Sequence, residues 1–139
     1  MTIKAILTDL DGVIRLWNTD HELSDKEEAL GLPRGAVFKT CFAEEFLEPA
    51  ITGKVTDDEW RARVSARLAE SYGADIAEAA VQAWTDVTFA IDDGVVALYM
   101  ERIPSARIVL VTNATSRLAH DLSTTNLPKQ LHAIVNSLS

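Results

Sequence analysis

The stretch Ile3-Lys4-Ala5-Ile6-Leu7-Thr8-Asp9-Leu10-Asp11-Gly12-Val13 constrains this 139-residue chain more than any other. A run rich in isoleucine and leucine stops abruptly at two carboxylates and a glycine. The run is too short for an isolated helix and reads as a strand, Ile3 to Thr8, buried on both faces of a sheet. Gly12 frees the backbone to turn sharply. Asp9 and Asp11 then stand at the carboxyl end of a buried strand, where open α/β sheets bind their ligands. Residues i and i+2 start on the same side of a strand, so the two carboxylates can converge on one small volume. Such a pair suits a hard cation with oxygen ligands, Mg²⁺ above all. It also suits a division of labour in which one carboxylate attacks an electrophile and the other handles a proton. The plainer alternative is a polar strand end in which either aspartate caps a turn.

The middle of the chain is helical in pattern. Ser24 to Leu30 reads as a short helix with Ser24 as N-cap and Glu27 completing a capping box, stopped by Gly31 and Pro33. A second helix is expected over 33–46. Thr56-Asp57-Asp58-Glu59 is a strong helix start, with Val55 and Trp60 placed as a hydrophobic staple. Trp60, Val64, Leu68 and Tyr72 then recur every four residues as one apolar stripe. After Gly73 a further helix is expected from Ala74 to about Phe89. Asp92-Asp93-Gly94 opens another, reaching Ile103. Its acids read as helix caps rather than as a second metal site.

Arg107 to Thr112 is a second apolar strand, ending in Thr112 as the first ends in Asp9. Parallel neighbours would bring both ends to one edge. The Thr112 hydroxyl can donate to a phosphoryl oxygen, and amides around Asn113 and Ala114 at a following helix start would favour anions. The alternative is an ordinary strand-to-helix turn capped by Thr115. A helix over 116–123 and a third strand over 131–135 complete an alternating pattern, which implies a parallel sheet.

Composition sets outer limits. A hydrophobic fraction of 47% and a charged fraction of 24% are those of a soluble globular domain. A net charge of −8 offers no basic excess for nucleic acid. No run approaches the roughly 20 apolar residues of a membrane span, and nothing resembles a signal peptide, so the expected location is cytoplasmic. The single cysteine, Cys41, cannot form an internal disulfide and reads as a packed core residue. His21, His120 and His132 show no metal-ligand spacing and read as incidental.

Thr8-Asp9-Leu10-Asp11-Gly12-Val13 resembles the first motif, D-x-D-G-[TV], of the haloacid-dehalogenase-like hydrolases. Val109-Leu110-Val111-Thr112-Asn113-Ala114 is similar to that family's second motif. The spacing resembles the subgroup with a helical cap inserted after the first motif. The resemblance implies an α/β fold, with a Rossmann-like parallel sheet core in residues 1–16 and 90–139 and an all-helical cap in residues 17–89. It implies a Mg²⁺-dependent hydrolase, and the aspartate at position 11 resembles the phosphatase branch acting on a small phosphorylated metabolite. Asp9 would be the nucleophile and a metal ligand. Asp11 would be the acid and base, with the backbone carbonyl of Leu10 or Asp11 facing the metal; the family pattern points to Asp11. Thr112, with Asn113 and the Gly12 turn, would bind the phosphoryl group. Arg15 and Trp17 are candidates for contacts on the cap side, against plainer readings of a solvated Arg15 and a packed Trp17. A dehalogenase of the same fold is one alternative.

The family's third motif, a lysine, and its fourth, a pair of acids, have no counterpart here: Lys129 precedes the third strand and no acid follows Asp121. The expectation is a chain truncated before those motifs, with an incomplete sheet of about three strands whose first strand is left as an open edge. From this follow two further alternatives: a silent fragment serving as a binding module, or a homo-oligomer that covers the edge.

Overall fold

The computed structural model describes residues 2–138. In chain order these form β1 (Ala5–Thr8), β2 (Arg15–Trp17), a π-helical turn (Asp20–Ser24), α1 (Asp25–Ala29), α2 (Ala36–Cys41), α3 (Glu44–Ile51), α4 (Asp57–Tyr72) and α5 (Ala74–Thr85). There follow β3 (Phe89–Ile91), α6 (Asp93–Arg102), β4 (Arg107–Thr112), α7 (Leu118–Ser123), α8 (Leu127–Gln130) and β5 (Ala133–Asn136). The residues fall into two compact units, one built from those up to Trp17 and from Phe89 on, the other from Asn18–Thr88. No helix of the described residues is long and apolar enough to cross a membrane.

The first unit is an α/β layer. Its sheet has the order β1-β4-β5 with every pair parallel, in a register that aligns Thr8 with Leu110 and Thr112 with Asn136. Parallel neighbours need crossovers, and α7 with α8 supplies the one between β4 and β5. Ile108 and Leu110 point to a core shared with Leu10, Ile14, Val96 and Leu118. The opposite face departs from the expectation of strands buried on both sides. Leu7 is 71% exposed, and Val111 and Val135 are 42% and 50% exposed. The apolar run of β1 therefore has one packed face, because no second layer of described residues lies against the other. As expected, β1 is an edge strand.

A second, two-stranded sheet joins β2 to β3 antiparallel, pairing Arg15 with Ile91 and Trp17 with Phe89. Sequence patterning places no strand here; Phe89 reads as the end of a helix. Each strand has only three residues, and the pairing joins segments on either side of the helical unit. Periodicity over such short spans carries little signal.

The second unit packs α4 against α5. Trp60, Val64 and Leu68 are buried as one stripe, and Trp60 meets Trp84 edge-to-face at 4.8 Å. The capping box is present: the Thr56 hydroxyl accepts from the Glu59 amide at 3.2 Å, and the Glu59 carboxylate accepts from the Thr56 amide at 3.0 Å. The box expected at Ser24 is absent. Ser24 lies within continuous helical backbone and makes no side-chain cap. Glu27 is instead buried and accepts from the amides of Gly35 and Val37, the latter at 3.0 Å. It thus satisfies otherwise unpaired N–H groups at the start of α2.

The helix expected over 33–46 is two helices, α2 and α3, broken where Ala43 turns extended. Gly35, at φ 86°, delays the start of α2 to Ala36. Cys41 is fully buried as expected, and burial pushes its thiol up to about 12.

Candidate functional site

Asp9 and Asp11 leave the carboxyl end of β1 through a tight turn. The Leu10 carbonyl accepts from the amides of Val13, Ile14 and Arg15 at 3.3, 2.9 and 2.8 Å. Gly12, at φ 80°, donates its own amide to the Arg15 carbonyl at 2.9 Å. Gly12 therefore closes the turn, and its N–H is not presented to a phosphate. The Leu10 carbonyl is thus surrounded by three N–H donors.

The two aspartates differ sharply in environment. Asp9 is exposed, and its Oδ1 accepts from the Leu10 amide at 2.7 Å. Its Oδ2 has no hydrogen-bond partner among the described residues. Behind it, the Thr8 hydroxyl is buried within reach of the Asp9 carbonyl (3.1 Å) and the Tyr99 hydroxyl (3.2 Å). Asp11, by contrast, is held. Arg15 donates from Nε to Oδ1 at 2.7 Å and from Nη2 to Oδ2 at 3.1 Å. Trp17 donates its indole N–H to Oδ1 at 2.8 Å. The Asp11 carboxylate is thereby held in one orientation by three donors.

The expectations for Arg15 and Trp17 are reversed. Arg15 is only 4% exposed, whereas Trp17 is 37% exposed. A buried guanidinium needs charge partners, and Arg15 has two: Asp11, and Asp121 at 3.2 Å from Nη1. Asp121 also accepts from Arg117 Nε at 3.1 Å. The sequence signal for this was slight. An arginine four residues after an aspartate suggests a helical pair, but here the spacing is spanned by a turn.

Thr112 ends β4 at the same sheet edge, since the register runs Thr8 to Leu110. Its side chain is buried, and its carbonyl accepts from Ser137 at 3.1 Å. Asn113 is exposed. The expected anion-binding amides are not arranged as foreseen. The Ala114 amide is taken by Asn136 Oδ1 at 3.1 Å, and α7 begins only at Leu118. Thr115 accepts from the Arg117 amide at 3.4 Å and so braces the intervening turn. Asp92 caps α6 as expected, accepting from Gly94 and Val95. His132 is not incidental: its Nδ1 accepts from the Ile108 amide at 2.9 Å and its own amide donates to the Ile108 carbonyl at 2.8 Å, fixing the approach to β5.

Mg²⁺ keeps several waters and binds proteins through one or two carboxylates together with substrate phosphate. Asp9 Oδ2 and the Asp11 carbonyl fit that limited donor set. Among the described residues there is no group of three His, Cys, Asp or Glu side chains that could hold a metal unaided.

No family model matches the chain, and no curated protein matches it. Solved structures do. A predicted HAD-like family hydrolase from Porphyromonas gingivalis superposes with a TM-score of 0.64 at 16% identity, over 99% of this chain and 68% of that one. A HAD family enzyme from Bacteroides thetaiotaomicron gives 0.66 at 15% identity, over 99% and 70%. The L-2-haloacid dehalogenase of Xanthobacter autotrophicus gives 0.52 at 18% identity, over 97% of this chain and 57% of the dehalogenase. These likenesses show that the chain has the fold of the haloacid-dehalogenase-like hydrolases.

Proposed function

We propose that this protein is a Mg²⁺-dependent hydrolase of the haloacid-dehalogenase-like superfamily, acting on a small phosphorylated metabolite as a phosphatase. The observation that carries the reading is the contrast within one turn: an exposed Asp9 with an unengaged oxygen, and an Asp11 two residues on whose carboxylate is fixed. In the first step an Asp9 oxygen attacks phosphorus, and the bond from phosphorus to the ester oxygen breaks. Asp11 supplies the proton to the departing oxygen, so that an alcohol leaves and an aspartyl-phosphate remains. In the second step Asp11 takes a proton from water, whose oxygen attacks phosphorus. Inorganic phosphate leaves, and Asp9 is again a carboxylate. The Thr112 hydroxyl, with Asn113 beside it, orients the phosphoryl oxygens. Mg²⁺, held by Asp9 and the Asp11 carbonyl, would supply positive charge against the phosphoryl oxygens.

A second reading, a dehalogenase, is favoured by one neighbour of the same fold, which has also been seen with chloropropionic acid covalently bound. A halide leaves without a proton, so that chemistry gives the fixed Asp11 nothing to do. Paired assays separate the two: phosphate release from 4-nitrophenyl phosphate and halide release from 2-chloropropionate, each with Mg²⁺ and with a chelator. Phosphate release that disappears with the chelator is the expected result. Halide release alone would install the dehalogenase reading, and release of neither would favour a silent binding module.

A further inference from the structure

We propose that Arg15 is the positioning residue for Asp11, fixing which oxygen and which lone pair of that carboxylate exchanges a proton with substrate. The inference rests on the phosphatase reading and deepens it. A carboxylate offers four in-plane lone pairs. At Asp11 the Arg15 Nε and the Trp17 indole N–H, at 2.7 and 2.8 Å, take both on Oδ1. Arg15 Nη2, at 3.1 Å, takes one on Oδ2. One lone pair, on Oδ2, is left without a partner among the described residues, and the Asp11 side chain is 42% exposed.

The clamp is itself held. The Arg15 guanidinium lies 4.6 Å from the Trp17 ring centre and 5.2 Å from that of Phe89. Its third nitrogen meets buried Asp121, which Arg117 also engages. Asp121 lies on α7, just beyond the second motif, so the proton-handling group is tied to the segment that follows Thr112. A bidentate fork imposes both distance and plane, which a lysine cannot do.

The test is the dependence of rate on the leaving group. Phenyl phosphate loses an oxygen that needs a proton, whereas 2,4-dinitrophenyl phosphate loses one that does not. General acid catalysis contributes on the order of 10²- to 10⁴-fold. Arg15→Lys should therefore raise the ratio of kcat/KM on the dinitrophenyl ester to kcat/KM on the phenyl ester by about 10²-fold, since kcat/KM reports the first step, in which the ester oxygen leaves, and not the hydrolysis of the shared aspartyl-phosphate. Asp11→Asn should raise the same ratio, and the double variant should raise it no further. Equal losses of kcat/KM on both esters, or no loss, would overturn the proposal. Asp121→Asn offers a milder variant should Arg15→Lys fold poorly, with the same sign expected. An inactive wild-type protein would instead overturn the phosphatase reading. The indole N–H resonance of Trp17 still reports the clamp in that case: it should shift in Arg15→Lys, and an unmoved resonance would sink the structural half of the proposal.

Discussion

Replacing Asp9 with asparagine should lower Mg²⁺-dependent phosphate release by on the order of 10⁴-fold or more. The substitution is nearly isosteric. An asparagine oxygen can still accept from the Leu10 amide, the bond that Asp9 Oδ1 makes at 2.7 Å. What disappears is the charge on the second oxygen and its capacity to attack phosphorus or to hold a hard cation. Because Asp9 is exposed and its bond to Leu10 survives, unfolding stability should change by less than about 0.5 kcal/mol. The assay is therefore read beside a urea titration. Loss of turnover at constant stability assigns Asp9 to the chemistry, as nucleophile and holder of the cation, rather than to the fold. A variant that retains a tenth of the activity would assign the attack to another group.

Trp60→Ala should destabilise the protein by about 3–5 kcal/mol. Trp60 is 6% exposed, packs edge-to-face on Trp84 and donates its indole N–H to the Cys41 carbonyl at 3.2 Å. Truncation removes buried ring surface, leaves a cavity between α4 and α5 and deprives a carbonyl at the end of α2 of its donor. Far-UV circular dichroism through a urea titration measures the loss in helices directly. A change below about 1 kcal/mol would mean that the unit repacks around the missing ring.

These two positions also mark how far the sequence could be read. Trp60 was legible because helical periodicity and a capping box agree: Thr56, Glu59 and the stripe through Val64 and Leu68 all indicate one helix start and one buried face. The sheet was legible for a similar reason, since β1 and β4 are apolar runs ending in polar residues at one edge. The failures lie where tertiary contacts outrank local pattern. Glu27 has the spacing of a capping box with Ser24, yet its carboxylate serves amides at Gly35 and Val37, a choice made by chain folding rather than by the local run. Arg15 reads as a surface residue because charged residues are seldom buried. Its partners Asp11 and Asp121 lie 4 and 106 positions away, and only the folded chain brings both to it. Likewise β2 and β3 have too few residues to announce themselves. Gly12 and the Ala114 amide were assigned to phosphate by their place beside the motifs; neither assignment could foresee that Arg15 and Asn136 would claim those N–H groups first.

The uncovered face of the parallel sheet has a thermodynamic consequence. Leu7, Val111 and Val135 hold their side chains in water, and β1 leaves one side of its backbone unpaired by any strand of its sheet. Whatever covers such a surface binds the native state and not the unfolded chain, so it stabilises by mass action. A second copy of this protein is the simplest such agent, and its effect grows with its own abundance. Melting followed across a hundredfold range of protein concentration should show the midpoint climbing in the wild-type chain and levelling in Leu7→Lys. A midpoint indifferent to dilution in both would mean that the exposed face is tolerated by a monomer.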